Sequence, residues 1–172
     1  YWRQKAFLRT GIGLQGVGRL REASDLQEES AVILRRLYGE VDSRTVDADE
    51  HLAQTRRQQG GAENLQYALR EFSRIHKLRL RHTKLTSIED SPLHCTAMRL
   101  AYTLFDLDRL SQCRVLLLTS LAGLRRLDGD EDYNTLECRV SLIQVAVRQD
   151  RVQYARRLYE ELRPVVSRVL GP

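Results

Sequence analysis

Apolar residues recur along this chain at helical spacing, and the polar breaks between them fall at regular intervals. The second apolar segment shows the pattern most clearly. Residues 20–38 place Leu20, Ala23, Leu26, Ala31, Ile33, Leu34 and Leu37 along one side, with Gly39 at the capping position and Arg35 and Arg36 in the last turn. Read in the same way, the whole chain predicts eight helices joined by short turns and no strand.

The first helix runs from 1 to about 15 on a rough stripe of Trp2, Ala6, Leu8 or Phe7, and Ile12, weakened toward its end by Gly11, Gly13 and Gly16. After the second, a third is expected from Ser43, read as its N-cap, to about 59, with Val46, Leu52 and Ala53 inward and a stop at Gly60-Gly61. The fourth covers about 62–80 on Leu65, Ala68, Leu69, Phe72, Ile75 and Leu78, and the polar stretch 82–90 reads as a link. Ser91 followed by Pro92 marks the start of a fifth helix carrying Leu93, Ala97, Leu100, Ala101, Leu104 and Phe105. The sixth, 110–127, carries Val115, Leu116, Leu118, Leu121, Ala122 and Leu124. Leu136, Val140, Ile143 and Val147 define the seventh at 133–148, and Ala155, Leu158, Leu162, Val165 and Val166 the eighth at 152–170. Pro164 inside the last is expected to kink or interrupt it.

One short motif organises these helices. Gly18-Arg19-Leu20-Arg21-Glu22-Ala23 returns, degraded, as Asp108-Arg109-Leu110-Ser111-Gln112-Cys113 and as Asp150-Arg151-Val152-Gln153-Tyr154-Ala155. The last two copies lie 42 residues apart, and the 90 between the first and second leave room for one more, which Tyr67-Ala68 supplies. A lone amphipathic hairpin cannot hide its apolar face, so hairpins repeating at this period are expected to stack.

Composition narrows the class further. Of 172 residues, 42% are hydrophobic and 30% charged, enough for a core and a hydrated surface, and only three are proline. The formal charge of +5 is spread with alternating signs, which suits a salt-bridged surface better than a nucleic-acid stripe. Cys95, Cys113 and Cys138 show no metal or redox spacing, and Cys113 and Cys138 read as small buried hydrophobes in a reducing, cytoplasmic setting. No apolar run approaches a membrane span. The chain opens in mid-pattern without an initiator Met, which reads as a piece of a longer protein.

The pattern resembles the tetratricopeptide repeat, in the long form found in kinesin light chains and in many bacterial and fungal regulatory proteins. Leu52-Ala53 and Leu100-Ala101, with Leu142-Ile143 more loosely, match the pair in its helix A; Gly18, Asp108 and Asp150 take the turn. Ala23, Ala68, Cys113 and Ala155 take the small position early in helix B. Tyr38-Gly39 and Leu170-Gly171 match its Leu-Gly, Thr45 and Thr135 its threonine, and Ser91-Pro92 resembles the His-Pro before that threonine. Ala23 to Thr45 and Cys113 to Thr135 both span 22 residues, while the second copy carries insertions of three at 60–63 and within 81–90. The resemblance implies an all-α, right-handed superhelical stack of four hairpins (1–39, 43–82, 91–128 and 133–170) forming one domain.

Signals for chemistry are absent. The glycines from Gly11 to Gly18 lack the strand that a dinucleotide fingerprint needs. His51, His76, His82 and His94 have no ligand spacing, and the acidic run 128–132 lacks the periodicity of a calcium loop, so neither metal nor cofactor is expected. The resemblance instead implies a non-catalytic module holding a peptide or partner helix on its A helices. It places Lys5, Arg9 and Ile12 on the inner face of the first, and Asp47, His51, Gln54 and Arg57 on that of the second. Cys95, Arg99, Tyr102 and Phe105 follow on the third, and Glu137, Ser141, Gln144 and Arg148 on the fourth. Arg9, Arg57, Arg99 and Arg148 would make a basic track for an acidic or carboxylate-ended segment, with Tyr102 and Phe105 as aromatic anchor. The Lys and Asn clamp of carboxylate-binding members is not reproduced, because His51, Arg99 and Ser141 stand where Asn is needed. Two other roles fit the pattern: self-association through Trp2, Phe7 and the end of the last helix (Val165, Val166, Val169), or a regulatory sensor on a larger ATPase or DNA-binding protein.

Overall fold

The computed structural model describes residues 2–86 and 89–170, with side chains over 6–86 and 89–169. The expectations that rest on the side chains of Trp2, Lys5 and Leu170, and on Gly171 and Pro172, lie outside the described residues. All regular structure among the described residues is helical: α1 (Trp2–Gly16), α2 (Leu20–Tyr38), α3 (Ser43–Gln59), α4 (Ala62–Thr86), α5 (Ser91–Asp106), α6 (Leu110–Leu127), α7 (Tyr133–Arg148) and α8 (Val152–Leu170). The chain divides into two compact units, Tyr1–Leu78 and Arg79–Pro172. In the first, α1 packs on α2, α2 on α3, and α1 also touches α3; the second repeats this with α5, α6 and α7, and adds α8 against α7.

The repeated motif is a helix stop of one geometry. Gly18, Asp108 and Asp150 hold φ of 80°, 58° and 55°, the left-handed region. In each copy this residue donates its N–H three residues back (Gln15, Phe105, Val147), and the next residue donates five back (Leu14, Leu104, Ala146). These paired bonds satisfy the orphan carbonyls at the helix end and reverse the chain. The following helix then buries its small residue: Ala23, Ala68 and Cys113 are 0% exposed and Ala155 is 5%. A larger side chain there would overpack the hairpin crossing.

Several elements depart from the expectation. The fourth helix continues through the stretch read as a link and ends at Thr86, so part of the second insertion is helical. Asp42, not Ser43, caps α3, its carboxylate accepting from Arg44 N at 3.0 Å. Asp90 caps α5 by accepting from Leu93 N at 3.1 Å, and Ser91 becomes the first helical residue. A carboxylate one residue earlier reaches the orphan N–H groups in both cases. Helix α8 runs unbroken through Pro164. Pro164 and Glu160 are both exposed, so water can serve the carbonyl that the proline ring leaves without a partner.

The buried stripes of α6 and α7 are also rotated from the expected ones. Val115 is 64% exposed, Leu118 39%, Val140 42% and Val147 59%, while the core takes Cys113, Leu117, Ser120, Gly123 and Leu124 from α6 and Thr135, Cys138, Ser141, Leu142, Val145 and Ala146 from α7. Both helices pack on two neighbours, and close crossings favour small side chains over the valines. Two glycines mark such crossings. A Cβ on Gly11 of α1 would lie 2.8 Å from Gln27 Cγ, and one on Gly123 of α6 would lie 2.0 Å from His94 Nε2 of α5.

Candidate functional site

Four of the expected binding residues meet in the second unit. The Tyr102 hydroxyl on α5 shares a 3.3 Å hydrogen bond with that of Ser141 on α7. One turn further along α5 and two turns further along α7, the Arg148 guanidinium lies 5.0 Å from the centroid of the Phe105 ring, a cation–π contact, and also pairs with Asp108 at 2.8 Å. Tyr102 is half-buried, and burial raises its phenol pKa well above the ordinary value, so it stays a neutral hydrogen-bonding group. Arg99 is half-buried on α5 and Arg148 exposed on α7.

In the first unit, Arg9 and Asp47 are exposed, and His51 and Arg57 are half-buried. Gln15 of α1 donates to Gln58 of α3 at 2.9 Å, tying the two helices together at this end. Arg9 and Arg57 thus belong to one unit, Arg99 and Arg148 to the other.

The acidic run 128–132 is taken up by structure. Asp128 accepts from the Ser91 hydroxyl at 2.8 Å, Asp130 pairs with Arg125 at 2.6 Å, and Glu131 with Arg168 at 3.2 Å. Asp132 caps α7 by accepting from Asn134 N at 2.8 Å and Thr135 N at 3.4 Å. Burial pushes the Cys113 thiol up to about 11 and that of Cys138 to about 12, so both sit as neutral thiols, Cys138 donating to the Leu117 carbonyl at 3.2 Å.

Reading the sequence missed the buried charges. Asp49 on α3 is 0% exposed and is gripped by Arg35 of α2 at 2.7 Å and by Arg74 of α4, whose Nε reaches Glu71 at 2.9 Å. Burial raises the Asp49 pKa, against the pull of Arg35 and Arg74. At the corresponding place in the second unit, four residues after the buried threonine, stands Arg139. Arg139 is 9% exposed and donates to the Glu161 carbonyl at 3.0 Å, and burial and Arg125 both lower its pKa. One junction is built around a buried acid, its counterpart around a buried base. A signal was present: Asp49 stands midway between Val46 and Leu52, on the apolar stripe itself.

Residues in the turn before α5 form a further polar knot. Glu89 accepts from His94 at 2.6 Å and from Arg126; burial works against ionisation, but these two hydrogen bonds hold its carboxyl below the ordinary range.

Neither a family model nor a curated protein matches the sequence. Solved structures do match the backbone. A structure described as Podosopora anserina putative kinesin light chain nearly identical TPR-like repeats aligns with 96% of this chain and 76% of its own, at 15% identity and a TM-score of 0.80. The chain has a tetratricopeptide-like fold. BtubC (BKLC) from P. vanneervenii aligns over 98% of this chain and 65% of its own, at 13% identity and a TM-score of 0.81. RapI in its apo form follows with 96% and 56%, 14% identity and a TM-score of 0.76. The chain therefore spans less than two thirds of BtubC and of RapI. In tetratricopeptide terms α1, α3, α5 and α7 are the A helices, and α2, α4, α6 and α8 the B helices. Among the described residues no helix is long and apolar enough to cross a membrane.

Proposed function

We propose that residues 1–172 act as one array of four hairpins, a non-catalytic protein-interaction module that holds a peptide or partner helix on its A helices. The observation that carries this reading is the meeting of Tyr102 with Ser141 and of Phe105 with Arg148 on successive A helices. An aromatic pair beside fixed guanidinium groups is the composition of interface hot spots. Arg9, Asp47, His51 and Arg57 stand on the A helices of the first unit, and the excess of arginine favours an acidic or carboxylate-ended partner. Affinity would come from several modest contacts.

The test is a pull-down and a peptide-array experiment with Arg57→Glu plus Arg99→Glu beside the wild type. The expected outcome is loss of acidic ligands from the double variant with helicity and Tm unchanged. An unchanged ligand set moves binding off the A helices and overturns the reading.

A second reading, self-association, rests on the apolar surface of α8, where Val152 is 60% exposed, Tyr159 52% and Val169 42%. Light scattering across a concentration series separates the two: a monomer at all concentrations removes self-association.

A further inference from the structure

The first unit contains a cleft of about 310 Å³ between α2 and α4, with Leu52 of α3 among its lining residues. Glu28 and Arg35 line it from α2, Glu40 from the following turn, and Tyr67, Glu71 and Arg74 from α4. Asp49 holds Arg35 and Arg74 in place. Around the cleft stand four carboxylates (Glu28, Glu40, Glu71 and buried Asp49) against two guanidiniums, so the balance is acidic. Arg56 pairs with Glu28 at 2.8 Å from outside the lining, which still leaves an excess of negative charge. Tyr67 senses that field: burial first, then Glu71, Asp49 and Glu28, push its phenol up to about 12, opposed by Arg35.

The second unit serves as an internal control. Ninety residues on, Leu142 stands for Leu52 and Arg125 for Arg35, but Leu118 replaces Glu28. In the following B helix, Tyr154 stands for Tyr67 while Leu158 replaces Glu71. Hairpin stacking in this fold therefore does not require carboxylates at these two places. The partners change with them: Ala146 stands for Arg56, which pairs with Glu28, and Glu161 for Arg74, which pairs with Glu71, so the first unit keeps two ion pairs at the cleft and exposed Glu40 supplies the surplus negative charge.

We infer that the cleft is a socket for a basic side chain, an arginine, of a partner polypeptide. Its methylenes would lie on Leu52, Val32 and the Tyr67 ring, and its guanidinium against Glu28, Glu40 and Glu71. The planar cation matches both the carboxylate fork and an aromatic face, and the volume suits one long side chain rather than a folded surface. The cleft lies between B helices, so this inference stands apart from the A-helix reading.

The test is an NMR titration of the isotope-labelled chain with a capped Gly-Gly-Arg-Gly-Gly peptide, and with the same peptide carrying citrulline or glutamate at its centre. The arginine peptide is expected to shift the amides of Leu52, Tyr67 and Glu71 saturably, with a Kd on the order of millimolar for a single side chain. Citrulline, equal in shape but uncharged, is expected to bind at least about fivefold more weakly, and glutamate not to bind. Glu40→Gln, at an exposed turn position, should weaken the arginine peptide about threefold with Tm unchanged, and Glu28→Gln plus Glu40→Gln more. Equal binding of citrulline, a preference for glutamate, or shifts that spare the cleft would each overturn the inference.

Discussion

Asp150 holds a φ of 55°, a left-handed conformation that costs a non-glycine residue about 1 kcal/mol, and the matching turn of the first copy uses Gly18 at 80°. Asp150→Gly is therefore expected to raise stability by about 0.5 kcal/mol, read as a higher urea midpoint at unchanged m-value. Asp108→Gly should gain less, because it also removes the pair with Arg148. Gly123 presents the opposite case. A methyl there collides with the ring of His94, which is 5% exposed, so Gly123→Ala is expected to destabilise by about 1–3 kcal/mol. Adding His94→Ala should recover part of that loss, and a double-mutant cycle measures the coupling. The turn residues were legible in the sequence because they repeat. Gly123 was not, because a glycine inside a helical run shows only weak propensity until the side chain facing it is known.

At the scale of the element, all eight helices and the hairpin order could be read from periodicity and turn chemistry, and the inward faces only in part. In α3 and α5, Val46, Leu52, Ala53, Leu93, Ala97, Leu100 and Leu104 are buried as expected. In α2 the core also takes Gln27 and Ser30, both 0% exposed, and in α6 and α7 it takes Ser120, Thr135 and Ser141. Helices pressed between two neighbours select for small size, which hydrophobicity does not report. The candidate binding residues were legible as positions, but their partners were not: the contact of Arg148 with Phe105 joins residues 43 apart in sequence. The Asp49 junction escaped notice for the same reason. Asp49→Asn removes the carboxylate that Arg35 and Arg74 share, leaving Arg74 its pair with Glu71, and a loss of about 1–3 kcal/mol is expected by chemical denaturation. That is less than for a fully enclosed pair, because Arg35 is 38% and Arg74 31% exposed.

For the whole molecule, buried acidic protons set the alkaline limit of stability. The Cys113 and Cys138 thiols have an ordinary pKa of 9.0, and burial raises them to about 11 and about 12 in the folded chain. The unfolded chain releases those protons first as pH rises, so stability is complete below about pH 9 and falls through pH 11 and 12. Unfolding free energies measured between pH 8 and pH 11, as an approximate working range, should decline, and Cys138→Ala should flatten the slope. A thiol reagent at neutral pH should label the half-buried Cys95 first, and Cys113 and Cys138 only on unfolding.

The opposite charges buried at Asp49 and Arg139 have a consequence for recombination of this chain. Hairpins of one backbone geometry invite exchange, yet a chimaera carrying the last B helix in place of α4 would set the carboxylate-bearing Glu161 where Arg74 now meets Asp49. Like charges would then face each other at a carboxylate, Asp49, that is 0% exposed. The segments share a shape but are keyed to their neighbours, and a shuffled order should fail to fold where the native order succeeds.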